Sequence, residues 1–256
     1  MSELDHMHEN ISGIYNYCDR WCEKCSYTNR CLLFKREAER DIKHILNDED
    51  PNDPEVFAKD IADSIMETYE FINKKMEEED FPEYFDEDDF DFDDEEIIDG
   101  EENPPAGIRI VQHPLIDDSL TFFKEFNKYY NLVKSKYPEE TEEKEGGNNL
   151  SENLSVIAWY SPQINVKSRS CIWGKNKLTK VKNEMQKEIE LDILNVNSRI
   201  AFVGIEKCIN ALTNIYELKQ DVQQETLLLL STAKKIKEMI ANEFPNVFIY
   251  KRPYFD

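Results

Sequence analysis

Residues 197–244 read NSRIAFVGIEKCINALTNIYELKQDVQQETLLLLSTAKKIKEMIANEF. Ile200, Val203, Ile205, Ile209 and Leu212 in the first half, then Leu227 to Leu230, Ile236, Met239 and Ile240 in the second, recur at helical spacing. They predict two helices, roughly Asn197 to Leu218 and Asp221 to Phe244. Such apolar faces need partners, and the chain upstream supplies them. Ser151 can cap a helix carrying Leu154, Ile157, Tyr160, Ile164 and Cys171, in which Pro162 forces a kink or a first-turn position. Asp117 or Asp118 starts another, with Leu120, Phe123, Phe126, Tyr130, Val133 and Tyr137 aligned and Pro138 ending it. Leu32 to Leu46 is helical and ends in the turn Asn47 to Pro51. A helix follows from about Asp53 to Glu78, because Asp53 can cap it, Pro54 suits its first position, and Phe57, Ile61, Ile65, Tyr69, Ile72 and Met76 make one stripe. The expected fold is mainly α: a bundle of about five to six helices.

Composition agrees. Of 256 residues only 7 are Gly, which argues against a turn-rich β-sandwich or a Gly-rich dinucleotide fold. The net charge of −23 is concentrated. Glu77 to Glu102 holds 17 acidic and no basic side chains, so the other 230 residues sum to −6. Acids interleaved with Phe81, Tyr84, Phe85, Phe90 and Phe92 cannot bury enough apolar surface to offset their ordering entropy, which predicts a disordered linker. A linker of this kind could dock a basic protein partner, or screen the local charge of +6 carried by Lys167 to Lys187. Nucleic acid is disfavoured on charge. No basic and apolar leader opens the chain and no apolar run spans a membrane, so a cytoplasmic location with reduced thiols is expected.

The strongest chemical signal is at the N-terminus. Cys18, Cys22, Cys25 and Cys31 stand in the spacing C-x3-C-x2-C-x5-C, four soft ligands within 14 residues. A continuous helix would place Cys18 and Cys25 about 10 Å apart along its axis, so one centre requires the helix to be broken. Two centres compete. Zinc takes tetrahedral thiolates and commonly uses paired knuckles, of which only Cys22-x2-Cys25 is present. A [4Fe-4S] iron–sulfur cluster spreads its thiolates and tolerates unequal spacing, which favours it here, with zinc as the alternative. Arg20 and Lys24 could offset thiolate charge, and Trp21 and Tyr27 could limit solvent access. The spacing from Cys18 to Cys25 also fits radical S-adenosylmethionine enzymes. Those need a repeated strand and helix alternation that the helical chain after Cys31 lacks. An iron–sulfur centre implies electron transfer or redox sensing; a zinc centre implies a structural interaction module.

The run Asn16-Tyr17-Cys18-Asp19-Arg20-Trp21-Cys22-Glu23-Lys24-Cys25, with Thr28, Arg30 and Cys31, resembles the N-terminus of a group of uncharacterised bacterial proteins. Members share a Trp-Tyr pair before a Lys-containing helix, similar to Trp159-Tyr160 and Lys167, and an ending similar to Arg252-Pro253-Tyr254-Phe255-Asp256. The resemblance implies that the cysteines act as a unit and transfers no activity.

Other candidates carry less. Glu206 sits in an apolar helix, where a carboxylate needs a cation; Lys167, Arg169 or Arg199 could supply it, as a structural salt bridge or as a site. His113, before Pro114, is a candidate base but more simply a capping or surface residue. Asp41 and His44 have the i, i+3 spacing of half a di-iron site without the other half, so a solvated polar face is expected. Cys171 and Cys208 read as buried small hydrophobes. The calcium-loop pattern from Asp89 fails at Asp94 and Gly100, and no Gly-rich phosphate loop, serine elbow or His-Glu-x-x-His motif occurs. The expected organisation is a cysteine-rich metal-binding segment (1–31), a helical hairpin packed with the main bundle (32–76), the acidic linker (77–106), the bundle (107–245) and an extended tail (246–256).

Overall fold

A computed structural model describes residues 10–50, 53–78, 112–141 and 150–256, and its described residues form six α-helices joined by short 3-10 turns, with no strand among them. The acidic linker beyond Glu78, His6 and His8, and the expected extended piece at Ile108 to Val111 lie outside the described residues. The first two positions of that linker, Glu77 and Glu78, end a helix. The chain divides into two compact units, one comprising Ile11–Tyr27 with Arg109–Asp256 and the other Met1–Asn10 with Thr28–Ile108.

The larger unit is a four-helix bundle of α3 (Pro114–Lys136), α4 (Leu150–Leu178), α5 (Glu184–Leu218) and α6 (Gln223–Glu243). Each helix packs on the next, and α3 also packs on α6, which closes the ring. Phe122 and Phe126 from α3, Leu154 and Ile157 from α4, Ile205 and Leu212 from α5, and Ile236 and Ile240 from α6 fill its core. Most of the stripe residues of α4, α5 and α6 read from the sequence lie in this core, but Leu227 and Leu228 are exposed. α4 buries residues around most of its circumference, as befits a helix touched on several sides. Where it meets α5 the Tyr160 ring packs directly on Gly204: a Cβ there would stand 3.0 Å from Cδ1 of Tyr160. Several buried polar groups pair inside the bundle. Tyr129 shares a 2.7 Å hydrogen bond with Thr226, and the amide of Asn165 donates to the carbonyl of Ile116 and to Ser119. Burial pushes the Tyr129 phenol up to about 12.

Several boundaries differ from expectation. α3 begins at Pro114, not at Asp117 or Asp118, because His113 caps it: Nδ1 accepts from the Leu115 N–H at 3.2 Å and proline fills the first position. Its buried face follows Leu115, Ser119, Phe122, Phe126, Tyr129 and Val133, so Leu120, Phe123 and Tyr130 flank the core instead of filling it. Pro162 lies inside α4 and the helix runs on through it, held by the buried side chains of Tyr160 and Ile164 on either side. α5 starts well before Asn197, at Glu184, where Asn183 accepts from the N–H groups of Met185 and Gln186. Its first turns are largely exposed although Met185, Ile189 and Ile193 recur at i, i+4 spacing, so a start at Asn197 overlooks a stripe as well as the cap. The tail is not a simple extended strand. Pro245–Phe248 forms a 3-10 turn that buries Val247, and Arg252 is also buried.

In the smaller unit, a 3-10 turn at Thr28–Arg30 leads into α1 (Leu32–Leu46), which connects to α2 (Pro54–Glu78). Asp53 accepts from the Glu55 N–H at 2.8 Å, the cap expected from the sequence. Phe57, Ile61, Ile65 and Tyr69 are exposed along α2, and the side chains of Ile72 and Met76 lie outside the description. His44 is not on a solvated face: it is 4% exposed and bridges the two helices, with Nδ1 2.8 Å from Glu49 and Nε2 2.9 Å from Asp60. The turn after α1 brings Glu49 back over the imidazole, a contact that helical spacing cannot reveal. The two carboxylates occupy opposite ring nitrogens, which makes an ion-paired bridge and leaves neither nitrogen for iron. Hydrogen bonds from Glu49 and then Asp60 raise the His44 pKa above 6.5, and the bond to His44 lowers that of Glu49 below 4.5. The sign follows: the His44 contribution is complete below pH 6.5 and is lost as pH rises through the raised value, while that of Glu49 is complete above 4.5 and is lost on acidification. An NMR titration of His44 is expected to give a midpoint above 6.5, with amide protection of α1 and α2 falling through the same range. A midpoint below 6.5 would show that the bridge does not hold in solution.

Candidate metal centre

The segment before α1 is broken as a single centre requires. Ile14–Asn16 and Cys22–Lys24 are separate 3-10 turns, and Gly13 and Arg20 turn the backbone with φ of 67° and 61°. Glycine adopts that left-handed region freely, whereas Arg20 is held in it. Ile11 and Ile14 are buried and root the segment in its unit.

The thiols follow from these turns. Cys18 Sγ donates to the carbonyl of Tyr15 at 3.5 Å. The Cys25 N–H closes on the Cys22 carbonyl at 3.1 Å, so the C-x2-C pair sits on one tight turn. The Tyr27 N–H then points at Cys25 Sγ from 3.4 Å. Cys31 belongs to the smaller unit, where it is the N-cap residue of α1 and its carbonyl accepts from the Lys35 N–H at 3.1 Å. Among the described residues no three His, Cys, Asp or Glu side chains are gathered as the ligands of one ion.

Asp19, between the first two cysteines, carries most of the docking. Its carbonyl accepts from Trp159 Nε1 at 3.1 Å and from Gln163 Nε2 at 2.7 Å. Its carboxylate accepts from the hydroxyl of Tyr160 and from the Trp21 N–H, with Lys207 Nζ 3.5 Å away. Lys207 also donates to the Tyr160 oxygen at 2.5 Å. Burial, followed by the bond to Asp19, pushes the Tyr160 phenol far above its usual value and keeps it protonated. Trp21 stacks on Trp159 with centroids 5.4 Å apart and meets Tyr160 edge-on.

The C-terminal tail clasps the same segment. Arg252 Nη1 donates to the Tyr17 carbonyl at 3.4 Å while its Nε and Nη2 fork onto Asp256, and Arg199 donates to Asp256 at 2.9 Å. Tyr27 donates to the Tyr254 carbonyl at 3.2 Å and packs edge-on against Tyr254 and Phe255.

The structure therefore brings Cys18, Cys22, Cys25, Trp21, Lys24 and Tyr27 onto one docked segment, with Arg20 exposed at its bend. Lys24 lies over the Trp21 ring and 3.8 Å from Glu152. Lys167 is beside the segment: burial lowers its pKa, and the Cys171 and Cys18 sulfurs favour its charged form. Its ammonium donates to Asn197. Glu206 does form a salt bridge, at 2.8 Å, but to Lys237 of α6; Arg199 is committed to Asp256, and Arg169 is exposed. His113 is a helix cap 3.7 Å from Glu243. Cys171 and Cys208 are buried thiols, and burial pushes Cys171 up to about 12. Gln163 and Lys207 carry no motif. Asp19 and Trp159-Tyr160 were visible as shared words of the resemblance, without a role.

No family model matches the chain, and no curated protein or solved structure does so either. No helix among the described residues is long and apolar enough to cross a membrane.

Proposed function

We propose that Cys18, Cys22 and Cys25, with Cys31 six positions further along the sequence as the fourth thiolate, hold an iron–sulfur cluster used in electron transfer or redox sensing. The observation that supports this most is the broken backbone: the turns put cysteines at loop positions and aim the Tyr27 N–H at Cys25 Sγ, the kind of outer contact that tunes a thiolate ligand. Trp21, packed on Trp159 and Tyr160, limits water on one side of the segment. Asp19 and Arg252 hold it on the bundle, which lowers the entropy lost when ligands are fixed around a metal. A bound cluster would supply one-electron chemistry; the chain supplies position and shielding. The tight Cys22-x2-Cys25 turn also suits a structural zinc, which makes the protein an interaction module on the second reading.

Protein purified without oxygen is expected to be brown, with broad absorption near ~400 nm from thiolate-to-iron charge transfer. Serine at Cys18, Cys22 or Cys25 is expected to abolish that band. Colourless protein holding one zinc would overturn the cluster in favour of the structural site. Absence of both metals, with four serine substitutions leaving stability unchanged, would remove both readings.

A further inference from the structure

Two of the N-terminal thiols share a geometry that the others lack. The Lys24 N–H closes on the Trp21 carbonyl and the Cys25 N–H on the Cys22 carbonyl, each at 3.1 Å, so Cys22 and Cys25 are the first and fourth residues of one 3-10 turn. In such a turn side chains three positions apart eclipse, and three residues rise about 6 Å. Both sulfurs therefore leave the same side. A Cα separation of about 6 Å is also the commonest one across a disulfide, whose window closes near 7 Å. Cys25, with φ of −89° and ψ of 129°, turns the chain away only after its own Cα is in place.

The other cysteines are placed differently. Cys18 lies before the bend at Arg20, where φ is 61°, and its Sγ donates to the Tyr15 carbonyl at 3.5 Å. Cys171 and Cys208 are buried in the bundle, and Cys31 belongs to the smaller unit. Cys22 and Cys25 are both partly exposed. Cys25 also lines a cleft of about 470 Å³ between the docked segment and the α4–α5 face, together with Trp21, Ser26 and Asn210. That volume falls within the range that admits small molecules.

We propose that Cys22 and Cys25 form a dithiol–disulfide couple, with Cys25 as the entry thiol and Cys22 as the resolving one, oxidised by a low-molecular-weight disulfide such as glutathione disulfide. The Cys25 sulfur, giving up its proton, attacks one sulfur of that oxidant. A bond forms at Cys25, the oxidant's S–S bond breaks, and one thiol departs with the proton. Cys22 then attacks the Cys25 sulfur, passes its proton to the second departing thiol and closes the intramolecular bond. Two protons and two electrons leave the protein, and one oxidant becomes two thiols. The couple belongs to the metal-free chain, because it uses two of the sulfurs that the proposed cluster would bind, and it does not rest on that cluster.

The test takes full-length protein, treated with a chelator and still helical by circular dichroism, through glutathione buffers of rising disulfide content. After acid quenching and alkylation, the chymotryptic peptide from Cys22 to Tyr27 is expected to have lost two hydrogens, with no mixed disulfide accumulating. Cys22→Ser should stop at glutathionylated Cys25. Cys25→Ser should slow glutathionylation of Cys22 about tenfold relative to that of Cys25, since Cys25 is the thiol that lines the cleft. The native turn should also favour the bond, so that half-oxidation needs about tenfold less oxidant than in concentrated urea. A folded chain that stays reduced would overturn the proposal, as would a disulfide from either cysteine to Cys18, equal rates for the two serine variants, or equal midpoints with and without urea. Colourless anaerobic protein would sink the cluster alone, and a pair that stays reduced would sink this couple alone.

Discussion

Arg252→Ala is expected to lower the free energy of unfolding by about 3–5 kcal/mol, because it removes one partner of a buried ion pair and leaves the other behind. Arg252 is 4% exposed, and Asp256 would retain only Arg199 and the backbone N–H of position 252. Urea unfolding should show a lower midpoint at unchanged slope. Loss of the bond to Tyr17 should also speed modification of Cys18 and Cys25 by a thiol reagent. The effect should depend on pH. Burial pushes the Asp256 carboxyl up, but hydrogen bonds from Arg252 and Arg199 outweigh it and hold the group well below the usual carboxylate range. A depressed carboxyl contributes fully above its unfolded value of 3.8 and loses that contribution as pH falls below it, so wild type and variant should converge on acidification. A variant as stable as wild type at neutral pH would show that the tail does not hold the fold.

Tyr160→Ala should cost a similar amount, about 3–5 kcal/mol, since it empties a buried ring that packs on Gly204 where α4 meets α5. Tyr160→Phe separates packing from polarity. It keeps the ring and removes the hydroxyl that Asp19 and Lys207 share, so about 1–3 kcal/mol is expected, together with faster modification of the cysteine segment. Equal losses for the two variants would mean that the hydroxyl, not the ring, carries the stability. No loss for phenylalanine would mean that Asp19 is held by Trp159 and Gln163 alone.

The bundle was readable because amphipathic periodicity survives in a single sequence. The stripes of α4, α5 and α6 contain Ile157, Ile205 and Ile236, each fully buried, and helix α1 has the bounds its pattern predicts. Helix starts differ where a cap sets them, as at His113 and Asn183, and the exposed stripe of Met185, Ile189 and Ile193 in α5 shows that periodicity by itself does not say which face is buried. The candidate site was half legible. Ligand type and spacing marked Cys18, Cys22, Cys25 and Cys31 and required a break in the helix, which the 3-10 turns provide. The partners of those turns come from far along the chain, and spacing cannot report a contact between Asp19 and Gln163 or between Tyr17 and Arg252.

Glu206 and His44 show the same division. Sequence alone pointed to a cation partner for Glu206 but offered Lys167, Arg169 or Arg199, and it placed His44 on a solvated polar face. Only the tertiary structure decided which cation, Lys237, and that His44 is buried between Glu49 and Asp60. Helix formation, class and the soft-ligand character of the N-terminal segment are local properties, set by neighbours three or four positions apart. Burial, the pairing of charges and the clasp of the tail on the cysteine turns depend on how the helices pack, and packing is decided by residues that the sequence holds more than a hundred positions apart.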